Sequence, residues 1–165
     1  MQLKEFYDYK NQLMKDILTK EKIISLISED TTIDNAKKLA YTQVYPCDYV
    51  QDTIVDGKTY ICFDSDIIGV DSKTYYTSYL YIWVFVHASN LRSPHGGVRC
   101  DEICEEICNY INGSRYYGLG ELNLTSVKRY APMTDYMGKL MTFVAKDFNR
   151  LHNGSKPVPT NRKKP

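Results

Sequence analysis

Long apolar runs are missing from this chain: the longest, Leu80 to Val86, is far too short to cross a bilayer, which takes about 20 residues. The opening residues, Met1-Gln2-Leu3-Lys4-Glu5-Phe6, lack the basic-then-apolar order of a secretory signal, so neither secretion nor membrane insertion is expected. Charge of one sign is missing too, with 21 basic against 20 acidic residues, which removes any global reason to expect a nucleic-acid partner. Five cysteines is an odd number without the close spacing of a disulfide scaffold, so reduced thiols in a reducing cell are the simpler reading. Ser93 to Gly97 and Gly118-Leu119-Gly120 are short glycine loops without either of the glycine patterns that cradle phosphates. No internal repeat is visible, and low complexity is confined to the C-terminal end.

What is present is a chain of 165 residues, enough for one domain that buries roughly 70% of its unfolded surface without help from metal or disulfide. Its charges are unevenly placed. Residues 148–165 carry Arg150, Lys156, Arg162, Lys163 and Lys164 and no carboxylate side chain, which leaves 16 basic against 20 acidic groups on residues 1–147. An acidic body therefore carries a basic arm over residues 150–165, and Pro157, Pro159 and Pro165 favour an extended form for it.

Leu3, Phe6, Tyr7, Leu13, Met14, Ile17 and Leu18 fall at mostly helical spacings, and a break near Thr19 separates them from a second apolar cluster, Ile23 to Ile27. Thr31, Thr32 and Asp34 offer capping chemistry for a further short turn through Ala40, and Pro46 closes an extended segment, Tyr41 to Tyr45. Lys58–Ile67 and Thr74–His87 read as two strands of an antiparallel hairpin, entered by the turns Val55-Asp56-Gly57 and Gly69 to Ser72. In the longer strand Leu80, Ile82, Val84 and Val86 face one way and Tyr79, Tyr81, Trp83, Phe85 and His87 the other, a pattern of a central strand covered on both sides. Val98–Asn112 reads as a helix with Cys100, Ile103, Cys104, Ile107, Cys108 and Ile111 on one stripe and four carboxylates opposite. Gly113 stops it. Strands follow over Glu121–Tyr130 and Lys139–Phe148, with a long turn from Ala131 to Gly138 between them. The order of elements predicts an α+β domain over residues 1–149: a mainly antiparallel sheet of about four strands with N-terminal helices and one amphipathic helix packed on it.

Cys100, Cys104 and Cys108, with His95 upstream, are the most metal-like set, but residues four apart climb about 12 Å over the series, too far to share one ion with metal–sulfur bonds of about 2.3 Å. Core packing is the expectation. Pro46-Cys47 resembles the Pro-Cys of zinc deaminases, yet no second Cys follows three residues later and no His-x-Glu precedes it. Cys47 or Cys62 with His87 or His152 would make a nucleophilic pair only by arrangement in space. No catalytic, cofactor or metal residue is assigned. The amides ahead of Val98, flanked by Arg92 and Arg99, offer a weak site for an anion or a partner's carboxylate.

Fifteen tyrosines suit protein interfaces, where such side chains bury much area at little rotamer cost. The face of Tyr79, Tyr81, Trp83 and Phe85 is thus either core or subunit contact, and the basic arm, with Lys156, Arg162, Lys163 and Lys164, can lie along a neighbouring subunit or nucleic acid. Arg92, His95 and Arg99 of the loop from Asn90 to Gly97 complete the candidate contact residues.

The order of these elements resembles the small neck proteins of tailed bacteriophages, most of all the tail terminator family. The resemblance runs over residues 1–149: N-terminal helices; paired strands with Tyr60-Ile61-Cys62-Phe63 and Tyr81 to His87; Arg99-Cys100-Asp101-Glu102-Ile103 opening a helix; Gly118-Leu119-Gly120-Glu121-Leu122; and a last strand from Tyr136 to Phe148. It implies a virion protein without enzymatic activity or cofactor, made in the host bacterial cytoplasm. It also implies a ring of identical subunits, typically six, that caps the tail tube, docks to the head-side connector and lets DNA pass its lumen without specific binding. Rivals are another head–tail connector or head completion protein, a small enzyme using Cys47 or Cys62, and an adaptor whose basic arm binds nucleic acid.

Overall fold

The computed structural model describes residues 3–28, 32–48, 57–67 and 75–148. The expected turns at Val55-Asp56 and Gly69 to Ser72, and the basic arm with Lys156, Arg162, Lys163 and Lys164, lie outside them.

Three short helices come first because the apolar residues recur every three or four positions and polar side chains punctuate them. Helix α1, Leu3–Ile17, buries Tyr9, Leu13, Met14 and Ile17. It ends where Thr19 Oγ1 donates to the Asp16 carbonyl at 3.0 Å, so the break falls at the expected place. In α2, Glu21–Ile27, all four apolar residues are buried. Helix α3, Ile33–Leu39, is capped by Thr32, whose hydroxyl accepts from the Asn35 amide at 3.3 Å, one of the first-turn donors that a helix cannot satisfy by itself.

Five strands follow: β1, Val44–Tyr45; β2, Thr59–Ile67; β3, Tyr75–His87; β4, Asn123–Tyr130; and β5, Tyr136–Phe148. Helix α4, Arg99–Ile111, stands between β3 and β4. The strand order is β1-β2-β3-β5-β4, so β3 is central and its whole length pairs with β5. All the pairings are antiparallel except that of β1 with β2. The α+β class and the mainly antiparallel sheet are as expected.

Three boundaries differ by two residues or more from the sequence reading. The fifth strand, β1, is only two residues long, because Tyr41 turns the chain with a positive φ of 58° and leaves Val44 and Tyr45 alone to pair with Ile61 and Cys62. Strand β5 begins at Tyr136 rather than Lys139, since Tyr136 and Gly138 already pair with His87 and Phe85. Strand β4 begins at Asn123, because Leu122 exchanges backbone hydrogen bonds with Gly113 and Ser114 instead.

All four helices lie on one face of the sheet. Ile61 and Phe63 of β2, Leu80, Ile82, Val84 and Val86 of β3, and Met141, Phe143 and Ala145 of β5 form the main core with residues of α1, α2, α3 and α4. Gln43 ties two layers together: its buried amide donates to the Thr59 carbonyl at 2.9 Å. Side chains that point the other way along each strand form no core with the described helices, although Asp64 at the β2 end pairs with Lys10 of α1 at 2.7 Å.

Candidate functional site

That second face is built by alternation. On β3 the side chains at 79, 81, 83, 85 and 87 point away from the helices, and the register places β2 and β5 residues beside them. Its two ends differ. Around Phe85, the side chains of Tyr45, Tyr60, Cys62 and Tyr136 form a small second core, with Trp83, Tyr130 and Met133 packed against it. Tyr60 stacks on Phe85 at 5.3 Å between ring centroids, and Tyr136 meets Phe85 edge-on at 5.9 Å. Phe85 is thus fully buried core and not a contact residue.

The remainder of the ladder is different. Tyr79, Tyr81 and Trp83 are half-buried and run in a line, with centroid spacings of 6.2 and 5.9 Å. Beside them on β5 stand Val144, Thr142 and Leu140, all half-buried. Tyr75 and Phe148, both exposed, extend the aromatic surface with rings 5.0 Å apart. Desolvation, then the nearby Asp66 carboxylate, pushes the Tyr81 phenol above its ordinary pKa. Such a surface, aromatic and partly dry in the free chain, is what a protein contact needs: large rigid side chains whose burial costs little conformational entropy.

The sequence missed the rest of this face. Asp64 and Asp66 on β2, Leu140, Thr142, Val144 and Lys146 on β5, and Lys128 on β4 share it with the ladder. Alternation within Lys139–Phe148 contains the signal for the β5 residues, but the pairing of β3 with β5 across an intervening helix does not show in a linear pattern.

The loop from Asn90 to Gly97 is held from within. Arg99 spends its guanidinium on three carbonyls, those of Asn90 at 2.8 Å, Leu26 at 2.7 Å and Arg92 at 3.2 Å, so it fastens the loop to α2 and does not project towards a partner. Ser93 is buried; its hydroxyl donates to Glu102 at 2.6 Å and accepts from the His95 amide at 3.0 Å. Amides around the weak anion site expected ahead of Val98 are engaged within the chain: that of Arg99 reaches the Leu91 carbonyl, and those of Asp101 and Glu102 both reach the Val98 carbonyl. Arg92 and His95 are exposed, and His95 edges a shallow depression with Glu21, Lys22 and Ser25.

The cysteines behave as apolar residues. Cys100 and Cys104 are buried on the stripe of α4 as expected, while Cys108 is only half-buried. Burial, then the Asp101 carboxylate, pushes the Cys100 thiol up to about 11, and burial pushes Cys104 up to about 12. Both stay protonated at neutral pH, the form that is poor as a ligand and as a nucleophile. Cys62 is fully buried opposite Trp83, away from His87, which instead meets Ser89 at 2.7 Å. Among the described residues no three His, Cys, Asp or Glu side chains are grouped to hold a metal ion, and no described helix is long and apolar enough to cross a membrane.

The family model described as YomW matches residues 7–145, which takes in every described strand but the last residues of β5. That name is typical of a phage-region protein and suggests a phage origin. No curated protein matches the chain.

Proposed function

The chain belongs to the YomW family, and from that footing we propose that it is a structural protein of the phage neck, a tail terminator whose copies close into a ring over the end of the tail tube and present a docking surface to the head connector. The observation that carries this reading is the one-sided cover of the sheet among the described residues. Helices take one face, and the other offers Tyr79, Tyr81 and Trp83 half-buried, a surface suited to protein contact rather than to chemistry. The loop from Asn90 to Gly97, with Arg92 and His95 exposed, adds a second contact, and the basic arm of residues 150–165 reaches an adjacent ring or subunit. The acidic body suits a lumen through which DNA slides, because phosphates are held mainly by Lys and Arg.

Tail tubes assembled with and without the chain, imaged in negative stain, test the reading. Ring density closing tubes of fixed length is expected when the chain is present. Tubes that stay open and grow without limit in its presence overturn the assignment. Removal of residues 151–165 is expected to weaken ring stability or neck joining; no change in either would take the arm out of the contact.

A further inference from the structure

Among the described residues, Tyr41 is the one non-glycine with a positive φ. Ala40 before it is extended, at φ −60° and ψ 129°, and the Thr42 amide donates to the Leu39 carbonyl at 3.2 Å. That is a type II turn with tyrosine where glycine or asparagine is favoured. An L side chain is strained there, and such a residue persists only where its surroundings over-determine it. They do so here. The Tyr41 amide donates to the Val44 carbonyl at 2.9 Å, the Gln43 amide to that of Leu39 at 2.9 Å, the Thr42 hydroxyl to that of Lys38 at 2.5 Å and the Tyr45 phenol to that of Thr42 at 3.1 Å. Yet Tyr41 itself is 64% exposed, so the fold makes little use of its ring. A rigid aromatic side chain held out into solvent has the form of an interface anchor.

We propose that Tyr41 anchors a head-to-tail contact between copies, entering the depression between α2 and α4 of the next copy. This depression has a volume of about 210 Å³ and is lined by Lys20, Ile23, Glu106, Asn109 and Tyr110. Ile23 and Tyr110 give an incoming ring apolar contact, while Glu106 and Asn109 supply acceptors for its hydroxyl. Charge matches as well. Lys38, in the last turn of α3, and Glu105, next to Glu106 on α4, are exposed, and neither forms an ion pair among the described residues. The two patches also lie apart: α3 runs into β1 at one edge of the sheet, whereas α4 packs over β3 and β5. Unlike patches on different elements make a heterologous contact, the kind that closes a ring where the rotation allows. The proposal rests on reading the chain as a ring subunit and gives that ring one of its contacts.

Native mass spectrometry and light scattering on the purified full chain, across a concentration series at low salt, provide the test. Assemblies that grow with concentration are expected. Tyr41→Asn, which suits the turn, is expected to keep or raise the urea midpoint and yet weaken association by about tenfold or more. Lys38→Glu and Glu105→Lys are each expected to weaken it by about threefold, and the double exchange K38E/E105K to restore it. A monomer at every concentration overturns the proposal, as does association that ignores Tyr41→Asn or is not restored by the double exchange. A lower urea midpoint for Tyr41→Asn also overturns it, because the ring would then serve the fold. The neck reading is tested separately on tail tubes: open tubes with the Tyr41 contact intact would remove that reading and keep this one.

Discussion

Gly138 of β5 stands between β3 and β4. It pairs with Phe85 on one side and Tyr130 on the other, and the Phe85 and Tyr130 rings meet over it with centroids 5.9 Å apart. A Cβ at this glycine would lie 2.6 Å from Phe85 Cα and collide with the Val84 backbone. Backbone cannot yield as a side-chain tip does, so Gly138→Ala is expected to cost about 2 kcal/mol or more, read as a lower midpoint in urea at unchanged slope. The thiols make a second prediction at this scale. Cys47 is exposed and should alkylate first in the native chain at pH 8. Cys100 and Cys104, held up at about 11 and about 12 by burial, should stay unmodified until urea opens the core. Mass mapping of the labelled peptides checks the order, and early labelling of Cys104 would show that α4 leaves the sheet readily.

Among the elements, the connection from β3 to α4 depends on one side chain. Arg99 gathers the carbonyls of Asn90, Arg92 and Leu26, joining a loop to the end of α2 across 73 positions of sequence. Arg99→Ala leaves these carbonyls without their charged donor, at a cost of about 1.5–3 kcal/mol. Arg99→Lys should recover little of it, because an ammonium cannot present the planar fork that spans three acceptors. Urea unfolding measures both, and faster amide exchange at the start of α4 should accompany them. Arginine at the head of a helix reads in a sequence as a binding residue; that it serves as a strut depends on where Leu26 ends up, which local pattern does not contain. The same distinction separates the legible elements from the rest. Strand β3 and helix α4 could be read because the side chains that each sends into the main core recur every two and every three or four residues within one segment, and β2 because its apolar run is bounded by a turn signal. The two-residue β1 exists only through Ile61 and Cys62, and the early start of β5 only through Phe85 and His87, so neither has a local signature. The aromatic face was legible as a face, but its division into buried Phe85 and half-open Tyr79, Tyr81 and Trp83 depends on Met133 and Tyr136 folding back from the turn between β4 and β5.

Taken whole, the molecule keeps tyrosines in both of its cores, and this sets its response to alkali. Tyr130, in the second core, is pushed up to about 12, first by desolvation and then by the Asp48 carboxylate. Burial also holds Tyr9 and Tyr117 above the ordinary phenol range in the main core, with Asp64 and Asp66 near the first and Tyr110 and Asp16 near the second. An unfolded tyrosine releases its proton at about pH 10. Above that pH the folded chain binds more protons than the unfolded one, so stability falls as pH rises. The contribution is complete below pH 10 and is lost as the pH climbs through the raised value of Tyr130, near 12. Because the tyrosines are shared between the two sides of one sheet, their ionisation should undermine both layers together and give a single transition. Urea midpoints measured from pH 8 to 12 should change little from these groups up to pH 10 and fall steeply beyond. Tyr130→Phe should lessen the fall without abolishing it, since Tyr9 and Tyr117 still ionise only on unfolding. A midpoint that stays level to pH 12 would mean that these phenols reach solvent in the folded chain, and the two-sided core described for this sheet would then be too loosely packed to exclude water.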